Sequence, residues 1–314
     1  MRLYWAPVPW TGAVRPAAPR TSSPYSSWAH RRVRRGARPA ACDRGTNMTV
    51  AEALIHLKVD GWCVLQQVIP PDKVEEICWR VEVAVDKHGT IDGIRRVGVR
   101  KGLIAVEQSF SPYLADARLL EIAETLLGPH FRISFTTAQI NYPGNPRGPW
   151  HADWPFNQNN AGHIPSPYPD AVFHLTTLWM LSPFSTENGG TFIVPGSHRS
   201  SNNPSGKNGV DPLAPYASEM QACGEAGNVL VFDSRLWHAT APNRSDRPRV
   251  GLAVRFAPWW LHLDILMPGS DERKRMVEET GRRENWVEAI SSELYESLPG
   301  QVRPLFRHWV RPRH

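Results

Sequence analysis

His151-Ala152-Asp153 places an imidazole and a carboxylate two residues apart near the middle of a 314-residue chain. On extended backbone, alternate side chains share a face, so His151 and Asp153 point the same way and converge on one point in space. Completing that point with a second imidazole requires a residue remote in sequence. The fold must therefore bring distant segments side by side, as the strands of a double-stranded β-helix are.

The surrounding pattern agrees. β-branched, alternating or apolar runs at 131–141, 172–181, 191–194, 227–232 and 249–256 read as strands, with a short one at 62–65. Residues 154–170 and 195–218 are rich in Pro, Asn, Ser and Gly and read as long loops over a site. Asn188-Gly189 marks a tight turn into the strand that follows. Helical patterns come first: one capped by Thr49 with Glu52 three residues on and ended by Asp60-Gly61, one opened by Pro70-Pro71 and running to about Val85, and one over 116–127. A last helix is expected over 283–297. Helices first and short strands with long loops afterwards predict an α+β domain whose sheet part is an antiparallel sandwich or jelly roll, with the N-terminal helices as a buttress.

Charge is unevenly spread. Residues 1–47 hold nine arginines, no lysine and one acid, Asp43, while the remaining 267 residues carry a net charge of −2. The basic character belongs to the tail, and the body offers no patch suited to nucleic acid. The tail lacks hydrophobic periodicity and is expected to be disordered. It reads as an upstream extension with Met48 as the working start, as a transit peptide, or as a nucleic-acid-binding arm. No run of 18 apolar residues predicts a membrane span. Cys42, Cys63, Cys78 and Cys223 form no C-x-x-C pair and read as reduced thiols, which suggests the cytoplasm, or a mitochondrion if the tail is a transit peptide.

His238 lies 87 residues after His151, just past the strand at 227–232, where a double-stranded β-helix would set it beside His-x-Asp. Two imidazoles and a carboxylate on one face form the ligand set of non-haem Fe(II) oxygenases. The strand from Arg249 has two phases. Val250, Leu252 and Val254 are ordinary core; Arg249, Gly251 and Ala253 leave a cavity with a cation at its end. Such a cavity suits a dicarboxylate, held by the guanidinium at one end and a metal at the other. Arg247 and Arg255 share that phase and compete with Arg249 for the role.

His151-Ala152-Asp153, Glu187-Asn188-Gly189, Pro195-Gly196-Ser197-His198, His238-Ala239-Thr240 with Pro242-Asn243, and Arg249 eleven residues after His238 together resemble the phytanoyl-CoA dioxygenase family over roughly residues 50–260. The resemblance implies a jelly roll, Fe(II) held by His151, Asp153 and His238, and the co-substrate 2-oxoglutarate held by Arg249 with help from Thr240. It also implies O2 as oxidant and a small-molecule substrate. Related halogenases replace the acid of His-x-Asp with a small residue, so Asp153 argues for hydroxylation. Desaturation, cyclisation or epimerisation at the same centre, and a non-catalytic jelly-roll binding protein, stay open. Gln139, Trp154, Phe156 and Asn157 are candidates for the substrate wall. Lys101 could reach an anion in the pocket but reads first as a solvated lysine, and His163, His174 and His198 read as structural.

Overall fold

The computed structural model describes residues 40–41, 48–201, 203–206 and 210–310; the expectations for the basic tail fall almost entirely outside them. Two antiparallel sheets face each other. The larger is built from β2 (Trp62–Leu65), β3 (Thr90–Asp92), β4 (Val97–Lys101), β5 (Arg132–Asn141), β6 (Leu175–Met180), β9 (Val229–Asp233) and β11 (Arg249–Ala257), in the spatial order β2-β9-β6-β11-β5-β4-β3. The smaller is built from β1 (Ala40–Ala41), β7 (Thr191–Ile193), β8 (Met220–Ala222) and β10 (His238–Ala239), in the order β1-β8-β7-β10, with β1 joining β8 in parallel. This is the expected jelly-roll architecture of an α+β domain.

Three helices cover the outer face of the larger sheet: α1 (Val50–Val59), α2 (Pro71–His88) and α3 (Ala117–Leu127). Their ends obey local chemistry. Thr49 Oγ1 accepts from Glu52 N (3.3 Å) and Glu52 Oε2 accepts from Thr49 N (2.9 Å), the reciprocal capping box. Asp116 accepts from the first two N–H groups of α3 that follow Ala117, and Pro71 opens α2, where a missing N–H costs nothing. Ala53, Leu57, Ile77, Val81, Leu119 and Ile122 are buried against the sheet.

The two phases of β11 face opposite layers. Val250, Leu252, Val254 and Phe256 are buried in the helix-side core, each contributing about 1.5–3 kcal/mol. The other phase faces the second sheet. There Met180, Phe184, Ile193, Leu230, Phe232 and Leu236 pack together, and Phe184 also borders a cavity. Opposite Arg255 the register with β5 slips by one residue, and Ser134 is the extra, unpaired residue of the bulge. The Asn188-Gly189 turn forms as its residues require. Gly189 has φ +91°, and a Cβ there would lie 2.6 Å from the Ala241 carbonyl.

Two expectations change. Of the helix expected over 283–297, only Ser292–Ser297 is helical. Upstream of it, backbone groups bond outward: Arg283 O accepts from Ala161 N, Val287 N donates to Leu266 O and Ile290 N donates to Trp309 O. Those tertiary bonds displace the helical ladder, and apolar spacing alone could not reveal them. Strands β1, β3, β4 and β8 have no counterpart in the expected pattern, and β1 falls within the tail expected to be disordered. Arg96-Val97-Gly98-Val99-Arg100-Lys101 is basic and broken by glycine, so its strand character comes from pairing with β5. No helix among the described residues is long and apolar enough to cross a membrane.

Candidate metal and co-substrate site

His151 and His238 face each other across a single antiparallel bridge, exchanging N–H···O bonds of 3.0 Å in both directions. This bridge is the extended backbone at His151 on which the His-x-Asp reading depends. It brings the imidazoles to a centroid separation of 4.2 Å, and Asp153 N donates to Ser234 O (2.8 Å), fixing the carboxylate beside them. One ligand atom from each of His151, Asp153 and His238 lies within 4.8 Å of the others. His238 and Asp153 are buried, with Nε2 and Oδ2 3.8 Å apart.

Each imidazole is oriented by a carbonyl. His151 Nδ1 lies 3.0 Å from Pro149 O and His238 Nδ1 lies 2.9 Å from Leu236 O. A carbonyl only accepts, so each Nδ1 carries the proton and each Nε2 presents a lone pair. Burial pushes the His238 imidazole down to about 4, reinforced by His151 and opposed by Asp153. It is neutral near pH 7, as a ligand must be. For Asp153, burial alone would raise the carboxyl. The Arg255 guanidinium, with His238, His151 and Thr176, overrides it and holds the group well below the usual carboxylate range. The set fits a divalent metal: two neutral nitrogens, one carboxylate, and open cavity on the remaining side.

Asp153 is clamped. Arg255 donates through Nε to Oδ2 (3.0 Å) and through Nη2 to Oδ1 (2.8 Å), and Thr176 Oγ1 donates to Oδ2 (2.8 Å). Behind Thr176 runs a buried chain. Thr176 Oγ1 lies 2.7 Å from Ser234 Oγ, Ser234 Oγ lies 2.8 Å from His174 Nδ1, and His174 Nε2 lies 2.7 Å from Ser134 Oγ. Counting protons sets the direction. Thr176 gives its single proton to Asp153, Ser234 gives its own to Thr176, and His174 Nδ1–H donates to Ser234. Burial pushes His174 down to about 3, so the ring is neutral near pH 7 and carries the single proton this chain requires.

Arg249 sits at the other end of the cavity. It is 4% exposed, and no carboxylate pairs with it among the described residues. Its guanidinium stacks over Phe184 at 4.2 Å, and the Asn141 amide, turned so that its oxygen faces Arg249, accepts from Nε at 3.1 Å. Burial pushes its pKa down to about 9. A buried cation without an anion is costly, so the site is built to receive one. Gln139, His151, His238, Thr240, Arg249 and Gly251 share the cavity wall. Gln139 Nε2 lies 3.1 Å from the Asn141 amide and 3.4 Å from Thr240 Oγ1. Gly251 keeps the cavity open, since a Cβ there would lie 3.0 Å from Phe184.

The structure thus brings His151, Asp153, His238, Thr240, Arg249 and Gln139 together. Trp154, Phe156 and Asn157 do not join that wall. The chain turns directly after Asp153, with Phe156 N donating to Asp153 O, and alternation sends Trp154 away from the carboxylate into the core against Phe135 and His174. Phe156 is fully buried against Tyr168, and Asn157 Oδ1 caps Asn159 N within its own loop. His198 is structural as expected, buried against Gly61 with Nε2 3.3 Å from Lys58 O. Arg247 is exposed and leaves the competition for the cavity cation to Arg249. Arg255, Thr176 and Ser234 escape sequence reasoning as a clamp on Asp153. The in-phase spacing of Arg249 and Arg255 is the one available signal.

Comparison with known proteins agrees. The phytanoyl-CoA dioxygenase (PhyH) family model matches residues 57–251. Dioxygenase af480 of Aspergillus fumigatus is 26% identical over 273 residues, covering 83% of this chain and 78% of that one. The non-heme alpha ketoglutarate dependent carbocyclase SnoK from nogalamycin biosynthesis superposes with a TM-score of 0.55 at 19% identity, covering 68% of this chain and 87% of that one. The epimerase SnoN, solved with Fe3+, alpha ketoglutarate and nogalamycin RO, gives 0.52 at 18%, covering 67% and 83%. With more than half of its length matched, and with the His-Asp-His face and a buried arginine free of acid partners among the described residues in place, this chain belongs to the phytanoyl-CoA dioxygenase family of iron- and 2-oxoglutarate-dependent oxygenases.

Proposed function

We propose that the protein hydroxylates an unactivated C–H bond of a small molecule, with Fe(II) held by His151, Asp153 and His238 and 2-oxoglutarate held by Arg249 and Thr240. One observation carries the reading: His151 and His238 of the two-histidine, one-carboxylate face border the same cavity as a buried arginine that has no acid partner among the described residues. Iron, when bound with 2-oxoglutarate and O2, supplies the oxidising power. The chain supplies position. Carbonyl-bonded Nδ1 groups aim both Nε2 lone pairs, and Arg255 and Thr176 fix Asp153. Asn141 and Phe184 set the Arg249 guanidinium for two-point contact with a carboxylate. A cytosolic setting fits the free thiols of Cys63, Cys78 and Cys223.

Anaerobic addition of Fe(II) and 2-oxoglutarate is expected to give a visible metal-to-ligand charge-transfer band, and aerobic turnover to give succinate. Folded protein that yields neither refutes the assignment. The two superposed enzymes favour a second reading of the product step, since one is named a carbocyclase and the other an epimerase. Product mass separates the outcomes: one added oxygen for hydroxylation, two lost hydrogens for cyclisation or desaturation, no change for epimerisation.

A further inference from the structure

The register of the larger sheet extends the cavity face outward. Leu178, Ala253, Thr137 and Lys101 lie directly opposite one another across β6, β11, β5 and β4. Residues paired in this way present their side chains to one face. Leu178 and Ala253 line the cavity, so Thr137 and Lys101 continue its floor toward the β4 side. There the C-terminal segment runs past. Arg100, on the other face of β4 from Lys101, pairs through Nη2 with Glu288 Oε2 at 2.6 Å, and at the end of the strand Glu288 fills the space over Gly102, where a Cβ added to the glycine would lie 3.3 Å from the Glu288 Cβ. Glu284 ties the same segment to the loop after the His-x-Asp, accepting from Asn160 Nδ2 and Gly162 N at 2.7 Å each.

Positive charge accumulates at this end. Lys101 is half-buried, and its amine is pushed down by burial and by the like charges of Arg283, Arg255 and Arg273, with Glu284 alone pulling it up. Arg255 is committed to Asp153, and Arg273 donates to the Ile265 and Asn285 carbonyls. Glu284 is occupied by N–H donors. Among the described residues, neither Lys101 nor the Arg283 side chain has a hydrogen-bond or acid partner. Bound Fe(II), Asp153, Arg249 and doubly ionised 2-oxoglutarate balance one another in charge. That leaves these four cations opposed by one acid, an excess that the co-substrate does not consume.

We propose that the substrate carries an oxyanion group, a carboxylate or a phosphate, which docks between Lys101 and Arg283 at the β4 end of the cavity. The inference rests on the oxygenase reading, since it assumes that Arg249 is taken by 2-oxoglutarate. An anion held there directs the rest of the molecule along Thr137 and Ala253 toward the His-Asp-His face. Two cations of different geometry accept either oxyanion, so the anchor selects charge, and the reacting carbon is set by the distance from anchor to metal face.

The test is calorimetric titration of the full chain, loaded anaerobically with Fe(II) and 2-oxoglutarate, with phenyl phosphate, benzoate and benzyl alcohol. Both anions are expected to bind in preference to the alcohol. Their affinity should fall at least tenfold in Lys101→Met and further in Lys101→Met/Arg283→Gln, while the charge-transfer band forms in every sample. Anions that bind no better than the alcohol, or that the double variant retains, overturn the proposal and leave the oxygenase reading standing. A wild-type protein without the band overturns that reading itself.

Discussion

Arg255 and Asp153 form a two-point ion pair on the cavity floor, Nε to Oδ2 at 3.0 Å and Nη2 to Oδ1 at 2.8 Å. Asp153 is 5% exposed, so its charge depends on that partner and on whatever occupies the metal face. Removing one member of a buried pair costs about 3–5 kcal/mol. Arg255→Met is expected to lower the melting temperature of metal-free protein accordingly. Mn(II), a redox-silent surrogate, then becomes the main compensating charge and should raise Tm more in the variant than in wild type. An unchanged metal-free Tm would mean that the pair contributes nothing.

Thr176 reaches the same carboxylate with a neutral donor, with Ser234 and His174 behind it. Thr176→Val keeps the shape and deletes the donor. Loss of such an outer hydrogen bond typically costs about ten- to a hundredfold in metal affinity. Calorimetry with Mn(II) should show that loss with the fold intact by circular dichroism.

Arg249→Ala removes the cation at the far end of the cavity. At about 3–5 kcal/mol for a buried carboxylate deprived of its partner, the 2-oxoglutarate requirement should rise by about two to four orders of magnitude. Arg247→Ala alters only an exposed residue and should leave it unchanged. The reverse result would shift the assignment by one pleat.

Gly251→Val tests the cavity itself. A Cβ at 251 already meets Phe184 at 3.0 Å, and branching fills the space before Arg249. The charge-transfer band with Fe(II) and 2-oxoglutarate should be lost, while Fe(II) or Mn(II) alone still binds.

His174 and His308 carry an acid-stability signature. Burial pushes both down to about 3 from an ordinary value of 6.5. A histidine with a depressed folded pKa takes its proton more readily when unfolded. Stability is therefore full above pH 6.5 and falls as pH drops toward 3, by up to about 1.4 kcal/mol per pH unit for each group. Urea midpoints measured from pH 7 to pH 4 should show this slope, and His308→Gln, remote from the metal face, should remove about one proton's share of it.

The helix starts, the β11 phases and the Asn188-Gly189 turn are legible in the sequence because each is set by neighbours within a few residues. The 283–291 segment misleads for the opposite reason: its N–H and C=O groups bond to Ala161, Leu266 and Trp309, far away in sequence. Trp154 and Phe156 are legible as aromatic, and only the turn after Asp153 decides that they pack inward.

Sequence by itself determined the ligand types, the cation eleven residues past His238, and a sheet phase that leaves a cavity, because alternation along a strand is a local property. Tertiary structure alone decided that Arg255 clamps Asp153, that Arg249 has no acid beside it among the described residues, and that Lys101 stands in register with Thr137, Ala253 and Leu178. Each of these depends on register between strands distant in the chain, and a slip of one residue would turn every one of those side chains to the other face.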